Sequence, residues 1–461
     1  VIAAVWQSKI RKRHLGRQLL MTSIEQKSEC SFICTPGGLA RGSIRVPGDK
    51  SMSHRSIMLS SIAEGTSYIS GFLQGEDSLN TLRSFQAMGV DIKHSEDKVE
   101  VKGVGLHGLM QPDSSLDMGN SGTAMRLLLG LLAGQYFDTT LIGDESLSER
   151  PMNRVINPLL AMQAKIDSDI NGTAPLTVHG NATLTAIDYQ LPMASAQVKS
   201  CILLAGLYAK GETVVTEPAP TRDHTERMLR GFGCEVETKG AVIKLKGGQT
   251  LTATDIEVPA DISSAAFFLV AGSISPLGTE LTLTHVGINP TRTGVIDILK
   301  LMGADITITN QRDVGGEPVA DLIVRGANLK GINIPEALVP LAIDEFPVLF
   351  IAAACAEGKT TLTGAEELRV KESDRIQVMA DGLITLGIDA VPTVDGICIQ
   401  GGSISGGEVE SHGDHRIAMA FSVASIRATD TIKVLDCINV NTSFPGFVDL
   451  AISTGIKVNS L

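Results

Sequence analysis

The sequence has few aromatic residues and no excess of positive charge. Phe, Trp and Tyr together make up 4% of its 461 residues, and there is one Trp. Proteins that bind single-stranded nucleic acid stack the bases on aromatic side chains, so this shortage argues against that class. The formal net charge is −12, which argues against a general surface for nucleic acid or for acidic membranes.

Long apolar runs and paired cysteines are also lacking. No apolar run reaches the roughly 18 residues that a membrane span needs. The seven cysteines form no C-x-x-C pair, and most stand in apolar runs, which is typical of reduced thiols in a cytoplasmic protein. His412 and His415 have no partners at the spacing of a zinc site. We therefore expect a cytoplasmic protein without a membrane segment or a metal.

Residues 1–20 are basic and end just before Met21. One interpretation is a targeting peptide, and the other is an upstream extension of the reading frame. We favour the extension, because the segment lacks the apolar stretch and the cleavage site of a secretory signal. Residues 1–20 are then expected to lie outside the fold.

One local pattern recurs six times along the chain: an amphipathic helix, a small residue, one spacer and the start of a strand. Glycine suits the small position, because the backbone after a helix end often turns left-handed. The six positions are Gly89, Gln163, Gly233, Gly303, Gly387 and Gly455. Successive positions are 68 to 84 residues apart, which is enough chain for two strand–helix pairs and a hairpin in each unit. The sequence therefore predicts an α/β protein of six βαβαββ-type repeats.

Six repeats divide into two domains of three. The chain would cross between the domains near Pro47–Gly48 and again at Glu257–Asp261. The first domain would then cover residues 48–259, and the second would combine 21–47 with 260–461. Two crossings form a double hinge and leave a cleft that can open and close.

Cations and small polar residues stand at the starts of several predicted helices. Free N–H groups and the helix dipole attract phosphate or carboxylate at such positions. Each motif alone is also explained by a capped helix with solvated charges. Together, over both halves of the chain, they predict one cleft for ligands with several negative charges. The segments are Gly48–Arg55, Gly119–Arg126, Glu149–Arg154, Ser195–Lys199, Thr221–Arg227, Arg369–Arg375 and Gly413–Arg416.

A further motif places Asp344 and Glu345 inside the strongly apolar stretch 338–354. Burying a carboxylate is costly unless it is paired. Asp344 is therefore a candidate general base whose pKa its neighbours can tune.

Taken together, these motifs closely resemble the 5-enolpyruvylshikimate-3-phosphate synthase family, from about Ile33 to Val458. Four segments carry the resemblance to its class II form: Gly48–Ser51, Arg150–Met152, Ser195–Lys199 and Asn289–Arg292. The resemblance implies two inside-out α/β barrel domains, each of three repeats. It also implies small anionic substrates and no metal or cofactor, and we expect a monomer.

The resemblance also implies a reaction, in which phosphoenolpyruvate gives its enolpyruvyl group to the 5-hydroxyl of shikimate 3-phosphate through a tetrahedral intermediate. The implied catalytic residues are Asp344 as the base, with Glu372 or Lys50 as the proton donor. The implied shikimate 3-phosphate site is Lys50, Ser51, Arg55, Ser195, Ala196, Gln197, Arg222, Asp344 and Lys371. The implied phosphoenolpyruvate site is Lys50, Asn120, Gly122, Arg150, Gln197, Arg375 and Arg416.

Two positions depart from family patterns. The family's first-studied members carry a Lys near the C-terminal Phe-Pro, where this chain has Thr442. Herbicide-tolerant class II members often carry Ala at the place of Gly122, so at most moderate glyphosate tolerance is expected here.

Three alternative functions fit the sequence less well. UDP-N-acetylglucosamine enolpyruvyl transferase shares the fold but often uses a loop Cys, whereas Cys201 and Cys234 lie in or beside apolar helices. RNA 3′-phosphate cyclase has a related repeat but would need a nucleotide-linked His. A binding module without turnover would not need Asp344 as a buried base.

Overall fold

The computed structural model describes residues 30–180 and 183–461, so the extension predicted at residues 1–20 lies outside the described part. Within that part there are fourteen α-helices: α1 Lys50–Ser61, α2 Glu76–Ala87, α3 Gly122–Leu132, α4 Glu145–Ser148, α5 Asn153–Ala161, α6 Ala196–Gly206, α7 His224–Gly231, α8 Ile262–Ile274, α9 Gly294–Leu301, α10 Phe346–Ala354, α11 Arg375–Thr385, α12 His415–Ala424, α13 Val440–Ser443 and α14 Phe447–Thr454. Short 3₁₀ helices cover Glu336–Leu338 and Glu366–Val370.

The same residues contain twenty-three strands: β1 Phe32–Cys34, β2 Gly42–Ile44, β3 Glu64–Ser70, β4 Asp91–Ser95, β5 Lys98–Val104, β6 Leu116–Asp117, β7 Thr139–Ile142, β8 Lys165–Asp167, β9 Leu176–His179, β10 Asp188–Gln190, β11 Glu212–Thr216, β12 Val236–Lys239, β13 Val242–Lys246, β14 Ile256–Glu257, β15 Glu280–Gly287, β16 Asp305–Val314, β17 Glu317–Arg325, β18 Lys359–Leu362, β19 Asp389–Pro392, β20 Ile397–Gln400, β21 Gly407–Glu410, β22 Ile432–Leu435 and β23 Val458–Ser460.

The described strands form six sheets that repeat one pairing scheme. In the first sheet β14 runs parallel to β3, which pairs antiparallel with β5, and β5 pairs antiparallel with β4. Four other sheets have the same order, namely β6-β7-β9-β8, β10-β11-β13-β12, β2-β15-β17-β16 and β21-β22-β1-β23. In the sixth, β18-β20-β19, an isolated parallel bridge from Asn333 to Thr361 replaces the first strand. This repetition agrees with the six-unit pattern of the sequence.

The predicted left-handed turn occurs in all six units. The φ angles are +88° at Gly89, +86° at Gly233, +92° at Gly303, +84° at Gly387 and +106° at Gly455. Gln163 adopts φ +71° at the equivalent place in the second unit, although it has a side chain. The turn is therefore a requirement of the unit, and Gly is the residue that meets it with least strain.

The hydrophobic core consists of two clusters. One is built from buried side chains between Met52 and Val258, around helices α1, α3 and α6. The other joins Phe32–Val46 to residues 260–458, around α8, α10 and α12. Every residue of α8 and α10 is buried, which explains why these helices are apolar on all sides. No helix in the described part is long and apolar enough to cross a membrane.

Candidate active site

A polar cavity lies where these two groups of buried helices meet. Eleven of the residues expected to bind substrate or act in catalysis line it: Lys50, Ser51, Asn120, Gly122, Arg150, Gln197, Arg222, Asp344, Lys371, Glu372 and Arg416. Ser195 and Ala196 line an adjoining pocket, which shares Gln197, Arg222, Asp344 and Lys371 with the cavity. Thirteen predicted residues, spread over 367 positions from Lys50 to Arg416, are thus brought together.

Helix caps explain how so many segments reach one place. Asp49 accepts a hydrogen bond from the Met52 amide at 2.8 Å, and Ser121 accepts one from the Ala124 amide at 3.1 Å. Asp414 likewise caps α12. Each cap begins a buried helix, so the residues beside it stand at the cavity wall near free amides and the positive end of the helix dipole.

The cavity carries an excess of positive charge in a protein that is acidic as a whole. Eight of its lining residues are Lys or Arg, and five are Asp or Glu. The cavity therefore attracts an anion with several charges, although the chain as a whole is acidic. The cationic members are Lys50, Arg126, Arg150, Arg154, Arg222, Arg292, Lys371 and Arg416.

Asp344 is held by cations from both halves of the chain. Arg222 donates a short hydrogen bond to Oδ2, and Lys371 Nζ lies 3.3 Å from Oδ1. Burial by itself would raise the pKa of Asp344, but Lys371, Arg222, Arg416 and Arg375 outweigh it and hold the pKa well below its usual range. Without ligands, Asp344 is therefore an ionised and weakly basic carboxylate.

Glu372 has a similar environment. Arg375 Nη2 donates to Glu372 Oε2 at 2.5 Å. Burial opposes ionisation, but the charges of Arg375, Arg150 and Lys50 hold the pKa of Glu372 well below its usual range. The side chain is thus ready to hold a proton only after an anion has neutralised some of these cations.

Lys50 stands between the two halves of the chain. Its Nζ donates to Asp77 Oδ2 at 3.2 Å and to Ser443 Oγ at 3.0 Å. Thr442, which replaces the family's Lys, turns its hydroxyl to the Asn439 carbonyl at 2.7 Å and does not line the cavity. The segment that lacks a cation thus reaches the cavity region through Ser443 and its bond to Lys50.

Two predicted binding residues line neither the cavity nor the adjoining pocket. Arg55 donates to Thr225 Oγ1 at 2.7 Å, to Ser200 Oγ at 2.8 Å and to the Ser51 carbonyl at 2.9 Å. Arg375 lies behind Glu372 and bonds Asp414 Oδ2 through Nε at 2.7 Å. In this arrangement both guanidinium groups support cavity residues, and their predicted contacts with substrate remain predictions.

The sequence-based site omitted several cavity residues. Arg126 donates to Gln197 Oε1 at 2.6 Å, and so supports a predicted binding residue. Arg292 binds Asp49 by a short hydrogen bond and Asp261 Oδ1 at 3.1 Å, which ties together the two chain crossings. Arg126, Arg154 and Arg292 all belong to motifs that the sequence displays, but nothing local shows which way a long side chain points.

The fold and the cavity define the chain as a mixed α/β protein with a cation-rich cavity between two sets of buried helices. The family model for EPSP synthase (3-phosphoshikimate 1-carboxyvinyltransferase) matches residues 34–450. The chain belongs to this family.

Individual relatives agree with the family match. The 3-phosphoshikimate 1-carboxyvinyltransferase of Alkalilimnicola ehrlichii is 67% identical over 93% of this chain and 96% of its own. That of Methylococcus capsulatus is 64% identical over 93% of this chain and 98% of its own. The solved structure of EPSP synthase from Acinetobacter baumannii superposes with a TM-score of 0.85 at 57% identity, covering 94% of this chain and 100% of that one.

The cysteines of the first hydrophobic cluster are unsuited to nucleophilic chemistry. Cys201 and Cys234 are buried free thiols, and burial raises the pKa of both, that of Cys234 to about 11. Neither lines the cavity. The reactive-Cys chemistry of the UDP-sugar transferase is therefore not supported. Among the described residues no group of three His, Cys, Asp or Glu side chains is placed to hold a metal ion.

Proposed function

We propose that the chain carries out its family's reaction in this cavity. The enolpyruvyl group of phosphoenolpyruvate passes to the 5-hydroxyl of shikimate 3-phosphate, and inorganic phosphate leaves. The observation that carries this proposal is the convergence of eight Lys and Arg side chains around two carboxylates, Asp344 and Glu372. Both substrates carry a carboxylate and a phosphate, so charge neutralisation is the first requirement of the site.

Binding of shikimate 3-phosphate would activate Asp344. Ser195, Gln197 and Arg222 offer donors for the phosphate of this substrate. When Arg222 turns to that phosphate, Asp344 loses its closest cation and its pKa rises from the depressed value. The carboxylate then becomes a base strong enough to take the proton of the 5-hydroxyl as this oxygen attacks C2 of phosphoenolpyruvate.

Phosphoenolpyruvate would act on Glu372 in the same way. Its phosphate and carboxylate neutralise Lys50, Arg150 and Arg416, which raises the affinity of Glu372 for a proton. Glu372, or Lys50, protonates the methylene carbon as the C–O bond to the shikimate forms. In the second step this carbon returns its proton, the C–O bond to phosphate breaks, and the enol double bond is restored.

The domain organisation belongs to the same proposal. The two hydrophobic clusters support domains of residues 48–259 and of 21–47 with 260–461, each an inside-out barrel of three repeats. Movement about the crossings at Pro47–Gly48 and Glu257–Asp261 would admit and enclose the substrates. A monomeric state and a cytoplasmic location remain predictions.

One assay tests the function. Phosphate release from phosphoenolpyruvate is measured with shikimate 3-phosphate and, separately, with UDP-N-acetylglucosamine as acceptor. We expect turnover with the first acceptor alone, and a loss of about 10²- to 10⁴-fold in kcat for Asp344→Asn, the usual contribution of a general base. If neither acceptor gives phosphate release, the chain is an anion-binding module and not an enzyme. If UDP-N-acetylglucosamine gives release, shikimate 3-phosphate is the wrong acceptor.

A further inference from the structure

A salt bridge that the proposed mechanism does not use crosses the cavity. Arg154 in α5 places Nη1 3.4 Å from Oε1 of Glu367, which lies in the 3₁₀ helix Glu366–Val370. Both residues line the cavity, and their side chains are 20% and 30% exposed. Arg154 is in the chain segment of the first hydrophobic cluster, and Glu367 is in that of the second.

Glu367 is also a neighbour of Lys371. The same Oε1 that meets Arg154 lies 3.7 Å from Lys371 Nζ, while Lys371 Nζ lies 3.3 Å from Asp344 Oδ1. Lys371 therefore stands between two carboxylates. One of these, Asp344, also binds Arg222, and the other, Glu367, is shared with Arg154.

We propose that Arg154 is a positioning residue, which pairs with Glu367 across the cleft and thereby keeps Lys371 on Asp344 and available to shikimate 3-phosphate. Arg154 does this by forming a salt bridge with Glu367, so that Glu367 competes less strongly with Asp344 for the Lys371 ammonium group. This inference rests on the proposed function, since it deepens the account of that same site.

Electrostatics explains why removal of Arg154 would affect the pairing of Lys371 with Asp344. A carboxylate that loses one cation attracts the remaining one more strongly. Without Arg154, Glu367 would draw Lys371 away from Asp344, which still faces Arg222, Arg416 and Arg375. Partial exposure limits the effect to a modest one, because solvent screens such pairs.

The test is a double-mutant cycle measured by steady-state kinetics of the full chain. Arg154→Gln is expected to raise KM for shikimate 3-phosphate about two- to fivefold and to move the acid limb of kcat/KM to higher pH. Glu367→Gln in the same chain removes the competitor, so Arg154→Gln/Glu367→Gln should recover most of both changes. Arg154→Lys, which keeps the charge, should stay near wild type.

Two controls make the result decisive. Lys102→Gln removes an exposed pair, Lys102–Asp91 at 2.6 Å, neither member of which lines the cavity, and should leave the kinetics unchanged. Melting curves should show that all variants fold. Provided that the wild type turns over, either of two results overturns the inference. One is an Arg154→Gln enzyme with unchanged KM, and the other is a double variant at least as impaired as Arg154→Gln. Absence of turnover in the wild type would overturn the proposed function instead.

Discussion

A single methyl group at Gly122 should weaken the binding of phosphoenolpyruvate. A Cβ atom added to Gly122 would lie 3.1 Å from Arg126 Nη1 and 3.4 Å from Arg150 Nη1. Neither guanidinium group is free to retreat. Arg126 is held by Gln197 Oε1 at 2.6 Å, and Arg150 is held by Asn120 Oδ1 at 2.6 Å.

The size of the effect follows from these contacts. Complete loss of one hydrogen bond to a charged group costs about 1.5–3 kcal/mol. The methyl requires a displacement of only a few tenths of an ångström, so we expect about 1–1.5 kcal/mol, or roughly a tenfold rise in KM for phosphoenolpyruvate. KM for shikimate 3-phosphate should rise less, because only one of its predicted phosphate donors, Gln197, is linked through Arg126 to an atom that the methyl approaches.

Phosphate-release kinetics with each substrate varied in turn provides the assay. Gly231→Ala is a matched control, since a Cβ there meets no atom within 4 Å. The wild type should be inhibited by micromolar glyphosate, and Gly122→Ala should require a higher concentration. A Gly122→Ala enzyme that binds phosphoenolpyruvate as the wild type does, or whose KM rises equally for both substrates, would contradict this prediction.

Other predictions concern titration and thiols. Burial, together with Lys50 and Arg55, lowers the pKa of His54 from 6.5 to about 3. The unfolded chain therefore binds a proton that the native state does not, so stability should fall as pH is lowered from about 6.5 towards about 3. His54→Gln should show a shallower fall in the free energy of unfolding by urea titration across this window, and an unchanged slope would contradict the assignment. His415, whose pKa burial also lowers to about 3, should account for part of the remaining slope. Treatment with a maleimide should leave phosphate release intact, because Cys201 and Cys234 are buried; rapid inactivation protected by substrate would contradict this.

Much of the local structure was predictable from sequence because short-range sterics and hydrogen bonding control it. A Gly after the helix predicts the left-handed backbone position in five of the six units. In the remaining unit the same conformation occurs at Gln163. In β13, Val242–Lys246, apolar and polar residues alternate in the sequence, and the apolar ones pack one face of the strand on the core. Helix α6 begins at Ala196 because Ser195, the first residue of the motif Ser195–Lys199, caps it.

The candidate site was predictable as a set of segments but not as a set of contacts. Helix-start motifs identify where cations collect, because the free amides and dipole of a helix end are local properties. The side chains of Arg and Lys span several rotatable bonds, so their direction depends on partners elsewhere in the chain. Arg55 turns to Ser200 and Thr225, whereas Arg222 reaches Asp344.

The same distinction applies to charge. The sequence shows that Asp344 stands in an apolar stretch, and burial alone would raise its pKa. Only the folded chain brings Lys371, Arg222 and Arg416 around this carboxylate and reverses the direction of the shift. Coulomb energies depend on distances between residues far apart in sequence, and packing of the two hydrophobic clusters sets those distances.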